Sequence, residues 1–288
     1  MSAAAEEGAE GSASEKSPGE SPTRRFLVGL ARAAGGALVF ALPLWMTEEN
    51  WHLGYTIHPL RLALLVALAC PFLVALSHVS GFEKTVGLKD DAVDACVAWG
   101  VGFAMAALGL WLLGALGAEL SQREGLGRVA LLAVPGSMGA LLAQSQFNEG
   151  DDAGDQRPSG YASQLVVMLA GALFLAFNIA PTHEVELVAV TLAPWKALVL
   201  CAASLGAMHA FVYALKFTDG EEPGPETPGW SAFLRYTVPG YAIALAVSLL
   251  VLWTFGRMDG TGLAPALRMV VVLAFPASVG AAAARLIL

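Results

Sequence analysis

The chain has 288 residues and a formal net charge of −8, with 56% hydrophobic and 14% charged residues. A mean hydropathy of +0.62 lies far from the soluble globular average and excludes little but a soluble domain. The acidic balance, with no basic stripe interleaved with aromatics, argues against a nucleic-acid partner.

In chain order, residues 1–23 form a polar, acidic, low-complexity stretch that reads as a solvated tail. Arg24 and Arg25 run straight into an apolar segment. They lack the spacer and the small-x-small cleavage site of a twin-arginine signal, so they read as the cytoplasmic anchor of an uncleaved first helix. Eight apolar stretches follow, each near the ~20 residues that a spanning helix needs. They are Phe26–Met46, Pro59–Val79, Ala92–Leu116, Gly127–Gln146, Ala162–Ala180, Pro194–Lys216, Ala232–Phe255 and Leu263–Leu288. The fourth and the last carry Pro and Gly near their middles, which neighbouring helices can accommodate by re-satisfying the freed backbone. The fold expected is all-α: a polytopic helical membrane protein.

The acidic segments Glu149–Asp155 and Asp219–Glu226 read as linkers. Cys70, Cys96 and Cys201 lie far apart in apolar runs and read as small core residues. With the N-terminus inside, ten basic residues fall on the cytoplasmic side and six outside. That bias places both termini in the cytoplasm of a bacterial inner-membrane protein.

The chain also says the same thing twice. Residues 36–82 lie on residues 171–217 at a constant offset of 135, without a gap, and 12 of the 47 positions are identical. Thr47/Thr182, Glu49/Glu184, Thr56/Thr191 and Pro59/Pro194 match, with Arg61 opposite Lys196. In the fourth span Pro135, Ser137 and Gly139 match Pro276, Ser278 and Gly280 at an offset of 141, and in the third Gly100 falls opposite Gly240. The extra residues lie in Phe217–Ser231. The pattern predicts two duplicated four-helix units, 24–147 and 162–288, joined by an acidic linker at 148–161. An even number of spans per unit makes them parallel, related by a pseudo-two-fold along the membrane normal. The Pro-x-Ser-x-Gly of each fourth span reads as a packing hinge, since small residues let helices approach closely in lipid.

The first helix of each unit ends in a polar cluster, Thr47-Glu48-Glu49-Asn50-Trp51-His52 and Thr182-His183-Glu184-Val185-Glu186. The ten or so semi-apolar residues that follow are too short to span and read as an interfacial or re-entrant stretch. Pro43 and Asn178 precede the clusters at equivalent positions, so carbonyls freed by helix disruption lie near converging carboxylates. Hard oxygen donors of this kind suit cations. Glu49 and Glu184 either face each other across the pseudo-two-fold, with Thr47, Thr182 and Asn178 beside them, or sit at the outer headgroup boundary as polar helix ends; their recurrence in the repeat points to the first. Glu48 and Glu186, which do not repeat, read as interfacial helix ends with Trp45 and Trp51 as anchors. Arg61 and Lys196 are candidates to pair with the repeated glutamates or to create an electropositive mouth. His52, His58 and His183 match no zinc spacing. His209, deeper in its span, is a candidate proton relay.

At PLWMTEENWHLG (43–54) and FNIAPTHEVELVA (177–189) the chain resembles a bacterial family of uncharacterised integral membrane proteins of similar length. The resemblance runs from about Phe26 to the C-terminus. It implies an eight-span or similar membrane fold and carries no activity with it. Signatures of soluble enzymes are absent, so no catalytic role, metal or cofactor is expected. The function expected is a cation channel with Glu49 and Glu184 at its ion site. The alternatives are an H⁺- or Na⁺-coupled secondary transporter and a non-transporting scaffold or sensor. The partners expected are the lipid bilayer, inorganic cations and a second copy of the chain.

Overall fold

The computed structural model describes residues 22–80, 87–147, 160–215 and 233–287. The expected acidic tail up to residue 21, the linker around Glu149–Asp155 and the loop Phe217–Ser231 lie outside the described residues. The order is α1 (Pro22–Trp45), α2 (Glu48–Thr56), α3 (Pro59–Ser80), α4 (Leu88–Leu112) and α5 (Gln122–Phe147), then α6 (Tyr161–Ile179), α7 (Glu184–Thr191), α8 (Pro194–Leu215), α9 (Val238–Thr254) and α10 (Leu263–Ile287). A π-helical turn, Phe233–Thr237, leads into α9. Among the described residues there is no strand.

Among the described residues seven helices are long and apolar enough to cross a membrane: α1, α3, α4, α5, α6, α9 with its π turn, and α10. The remaining long helix, α8, has 22 residues but carries Lys196 and His209. The fourth and last apolar stretches run unbroken through Pro135 and Pro276, so neither is re-entrant. Cys70 and Cys96 are exposed on the helix surface rather than in the core.

The two stretches expected to lie irregularly at the interface are short helices, α2 and α7. Local chemistry makes them so. Thr47 stops α1, its hydroxyl donating to the Pro43 and Leu44 carbonyls at 2.8 and 3.1 Å. Thr182 stops α6 by donating to the Ile179 carbonyl at 2.8 Å. Glu48, Glu49, Glu184 and Glu186 then fill the first turns of α2 and α7, where the helix dipole favours negative charge. Thr56 and Thr191 close the short helices by donating to the His52 and Leu187 carbonyls, four residues back. Pro59 and Pro194 open α3 and α8, the helix position that tolerates a missing N–H.

The sequence of elements, long–short–long–long–long, therefore occurs twice, and the tight contacts recur in the same register. A Cβ on Gly36 would sit 2.2 Å from the Gly139 carbonyl oxygen and 2.3 Å from the Ala143 Cβ. A Cβ on Gly171 would sit 2.1 Å from the Gly280 carbonyl oxygen and 2.5 Å from the Ala284 Cβ. Thus α1 crosses α5 backbone to backbone, and α6 crosses α10 in the same way. The ends of α4 and α9 also match. Gly114 and Gly256 both have φ +73°. In each the next amide reaches back five residues, Ala115 to Leu110 and Arg257 to Leu252, the 6→1 bond of a Schellman stop. Leu110-Trp111-x-x-Gly114 thereby matches Leu252-Trp253-x-x-Gly256 at an offset of 142. In that register Gly240 falls opposite Ala98 rather than Gly100, and the two glycines differ in setting. Gly240 packs on Met208, while Gly100 has nothing within 4 Å.

The core runs through α5, where Leu131 to Leu142 are all buried. The polar clusters after α1 and α6 line one cleft, so both helices end on the same face and the halves point the same way. Their mutual contacts depart from a closed two-fold. Helix α1 meets α6 with Phe40 and Phe174 ring centroids 4.6 Å apart, and α3 lies against α6 and α9. Among the described residues α8 makes no comparable contact with α1 or α4.

Gly139→Ala and Gly280→Ala are each expected to destabilise the protein by about 1–3 kcal/mol, the usual cost of overpacking. Gly35→Ala and Gly100→Ala, with nothing within 4 Å of the added Cβ, should show no such loss. Unfolding in detergent micelles measures this, and equal behaviour of all four variants would refute the backbone-contact account.

Candidate functional site

The cleft opens at the end of the bundle where α1 and α6 finish. It is lined by Glu49, His52, Leu53 and Thr56 of α2, by His183 and Glu186 at the start of α7, and by Phe255, Gly256 and Arg257 after α9, around about 290 Å³. The α2 residues are spaced i, i+3, i+4, i+7, one face of a helix. Its other side, Asn50 and Gly54, is buried. A Cβ on Gly127 would sit 1.8 Å from the Gly54 carbonyl oxygen, which seats α2 directly on the start of α5. That start is fixed by a reciprocal capping box: Ser121 N–H donates to Glu124 Oε2 at 2.9 Å, and Glu124 N–H donates to Ser121 Oγ at 3.3 Å.

The second half supplies the cation. Arg257 Nη1 donates to Glu186 Oε1 and to His183 Nδ1, both at 3.3 Å. The Arg257 side chain is 13% exposed and that of Glu186 38%, so this pair is better shielded than an ordinary surface pair. Beneath it Phe255 packs edge-on against Phe177 at 5.7 Å. Glu49 is half-buried. Among the described residues it has no hydrogen bond or ion pair. His52 is held on the rim between Glu48, at 3.4 Å, and the Tyr55 hydroxyl. Tyr55 in turn lies under the Arg128 guanidinium, 5.6 Å from the ring centroid.

A second ion pair locks the halves together beside the cleft. Arg61, at the start of α3, donates Nη1 and Nη2 to the two carboxylate oxygens of Asp259 at 2.7 and 2.9 Å. It also donates to the Trp253 carbonyl at 3.0 Å and stacks 4.9 Å from the Trp253 ring centroid. The pairing of Arg61 with Glu49 expected from sequence is not made, because Asp259 offers a bidentate partner and Trp253 a ring face. Lys196 lies over its neighbour Trp195, 5.7 Å from the ring centroid.

The remaining sequence candidates sit as follows. Glu184 is exposed and does not line the cleft. The Thr182 hydroxyl and the amide of Glu184 itself hold its carboxyl below the usual carboxylate range. Residues two apart on a helix point about 200° away from each other, so with Glu186 turned inward Glu184 turns out. Thr47, Thr182 and Asn178 are engaged with the backbone. Asn178 Nδ2 donates to the Phe174 carbonyl at 2.7 Å. The carbonyls at the end of α1 are met from within as well. Asn50 Nδ2 reaches the Leu44 carbonyl at 3.2 Å, and Trp51 Nε1 the Trp45 carbonyl at 2.7 Å. His209 is at the opposite end, its Nδ1 3.1 Å from the Thr237 hydroxyl of the π turn.

Sequence reasoning missed Arg257 and Asp259, whose partners are 71 and 198 positions away. It also set Glu186 aside for lacking a repeat counterpart. The i, i+3, i+4, i+7 pattern of α2 was the available signal for His52 and Thr56.

This fold and cleft define a multi-pass helical integral membrane protein. Over residues 29–288 the chain matches the sequence model of the family described as "Putative integral membrane protein (DUF2391)", and it belongs to that family. The membership expected from the two acidic clusters therefore holds. No curated protein and no solved structure matches the chain.

Arg61 holds the Asp259 carboxyl below its ordinary value, chiefly by hydrogen bonding. A depressed carboxylate stabilises the fold fully above the ordinary Asp pKa of about 3.9. It loses that contribution as pH falls through the depressed value. Wild type should therefore unfold at a higher temperature than Asp259→Asn at pH 7, and the gap should close as pH falls below about 4. A gap that persists unchanged at pH 3 would show that the charge is not what matters.

Proposed function

We propose that this protein conducts cations across the membrane along the junction of its two halves, with the cleft as the outer mouth. One observation carries the reading: Glu49 is a half-buried carboxylate in a cleft shared by both halves, with no ion pair among the described residues. The carboxylate across from it, Glu186, is already neutralised by Arg257. Two carboxylates against one guanidinium leave the mouth net negative with both histidines neutral. At 4 Å such a charge attracts a monovalent cation by about 1 kcal/mol in bulk water and about 4 kcal/mol where the effective dielectric constant is near 20. The half-buried site lies toward the second figure. Glu49 keeps the role the repeat suggested, and Glu186 rather than Glu184 stands opposite it.

The two halves are read as products of duplication, in keeping with pathways that run between repeats. The protein is placed in a bacterial inner membrane with the cleft outside and both termini in the cytoplasm. It acts without catalysis, with lipid and inorganic cations as partners. A proton-coupled transporter is the second reading, favoured by His209, the ionisable group of α8 that bonds to Thr237 away from the cleft.

Reconstituted into vesicles, Glu49→Gln should lower cation flux or selectivity several-fold, and Glu184→Gln, outside the cleft, should have little effect. If the two variants match, the acidic residues are a solvated rim. If wild type passes no cation at any pH or voltage, the scaffold or sensor reading replaces this one. Orientation has its own test, in a variant with Cys70, Cys96 and Cys201 replaced by Ala. A cysteine substituted for the exposed Glu48 should react with an impermeant thiol reagent on intact cells, and one substituted for Ser14 should not. The reverse pattern would invert the topology.

A further inference from the structure

The end of the second half opposite the cleft carries a cluster that the proposed conduction does not use. Tyr161 is the first residue of α6, Arg235 and Tyr236 lie in the π turn, and Arg285 is in the last turn of α10. The rings of Tyr161 and Tyr236 are 5.8 Å apart. Arg235 lies over the first, 5.8 Å from its centroid, and Arg285 over the second at 4.1 Å. All four residues sit at helix ends, hence at the boundary between hydrocarbon and water.

We propose that this cluster binds the headgroup phosphate of an anionic phospholipid, held by Arg235 beside the two tyrosine rings, with the positive charge of Arg285 behind them.

Three observations support the assignment. Stacked on the Tyr161 ring, the exposed Arg235 guanidinium presents its in-plane N–H donors in the bidentate geometry that phosphate accepts. Arg235 is exposed, and among the described residues its partner is the Tyr161 ring. The chain beside it supplies a surface for an acyl tail: Leu234 and Val238 are exposed, and Ala242, Ala246 and Leu249 continue that stripe down α9. This apolar continuation favours a lipid over a free anion. The framework does not require the cluster either. At the matching positions the first half has Phe26, Val93 and Asp94 where the second has Tyr161, Arg235 and Tyr236. Basic and aromatic groups at a membrane face are the usual elements of lipid headgroup recognition, and π turns recur at functional sites.

The test uses the full-length protein in neutral detergent micelles. Its thermal unfolding is followed with added phosphatidylglycerol, phosphatidylcholine or inorganic phosphate. Phosphatidylglycerol should raise the wild-type unfolding temperature by several degrees, and the other two should not. Arg235→Gln should lose at least half of that shift, and Arg235→Gln with Tyr161→Leu nearly all of it. Lys196→Gln, at the opposite end, should keep it. Arg235 makes a single ring contact, so its variant is expected to fold even if the double variant does not. Equal shifts with phosphatidylcholine would overturn the proposal, as would the same shift with phosphate alone. An undiminished phosphatidylglycerol shift in Arg235→Gln would overturn it too.

Discussion

The architecture depends on two places where helix backbones touch. Lipid tails are as apolar as leucine, so burying apolar side chains contributes little to holding membrane helices together, and close van der Waals contact has to do it. Gly36 against Gly139 and Gly171 against Gly280 permit that approach, because any side chain at these positions would enter the facing carbonyl. The crossings place α5 and α10 at the centre of their halves. Around α5 the other helices of the first half gather, which is why its middle is fully buried despite Pro135 and Gly136. The sequence features that made the fourth and eighth apolar stretches look like weak spans are the ones that let them serve as cores.

Much of this was readable in the sequence because the underlying signal is periodic or chemical. Apolar runs of about twenty residues located the eight long helices to within a few residues. Matched prolines, threonines and glycines located the corresponding landmarks of the two halves. The short helices escaped because each has only two turns and mixed polarity, so length and hydropathy spoke against a span and periodicity had little room to show. The register of α4 against α9 slipped because Gly100 and Gly240 share only a residue type, whereas Leu-Trp-x-x-Gly shares a helix stop. The pairs Arg257–Glu186 and Arg61–Asp259 are tertiary. Nothing local announces them, and they form because turns after α9 project back across the cleft.

Comparison of the halves separates framework from chemistry, in the opposite sense to the one the repeat first suggests. Positions that are identical in the two halves each have structural work of their own. Thr47 and Thr182 end helices, Thr56 and Thr191 close short ones, Pro59 and Pro194 start long ones, and Gly114 and Gly256 stop helices at positive φ. The residues that give the cleft its character differ between the halves. His183, Glu186 and Arg257 stand where the first half has Glu48, Trp51 and Ala115. Glu49 and Glu184 belong to both sets. Each sits in the first turn of its short helix, and Glu49 alone of the two also faces the cleft.

That difference explains why the polar wall is built on one side only. In the first half Trp51 fills the position of Glu186 and spends its indole N–H on the Trp45 carbonyl. The Ala115 carbonyl, at the position of Arg257, is taken by Arg128. Trp45 itself packs against Gly109, leaving no room there for a Cβ. The end of the first half is thus sealed by aromatic packing, and the matching end of the second half is held by an ion pair. An ion pair that must be desolvated is expensive unless its geometry and hydrogen bonds are good; Arg257 donates to His183 and Glu186 through Nη1 alone, and among the described residues its buried Nε has no partner. With Nη1 directed into its own half, Arg257 makes no ion pair with Glu49 among the described residues. Where the guanidinium is tied therefore decides which of the two cleft carboxylates, Glu49, is left without a paired cation among the described residues.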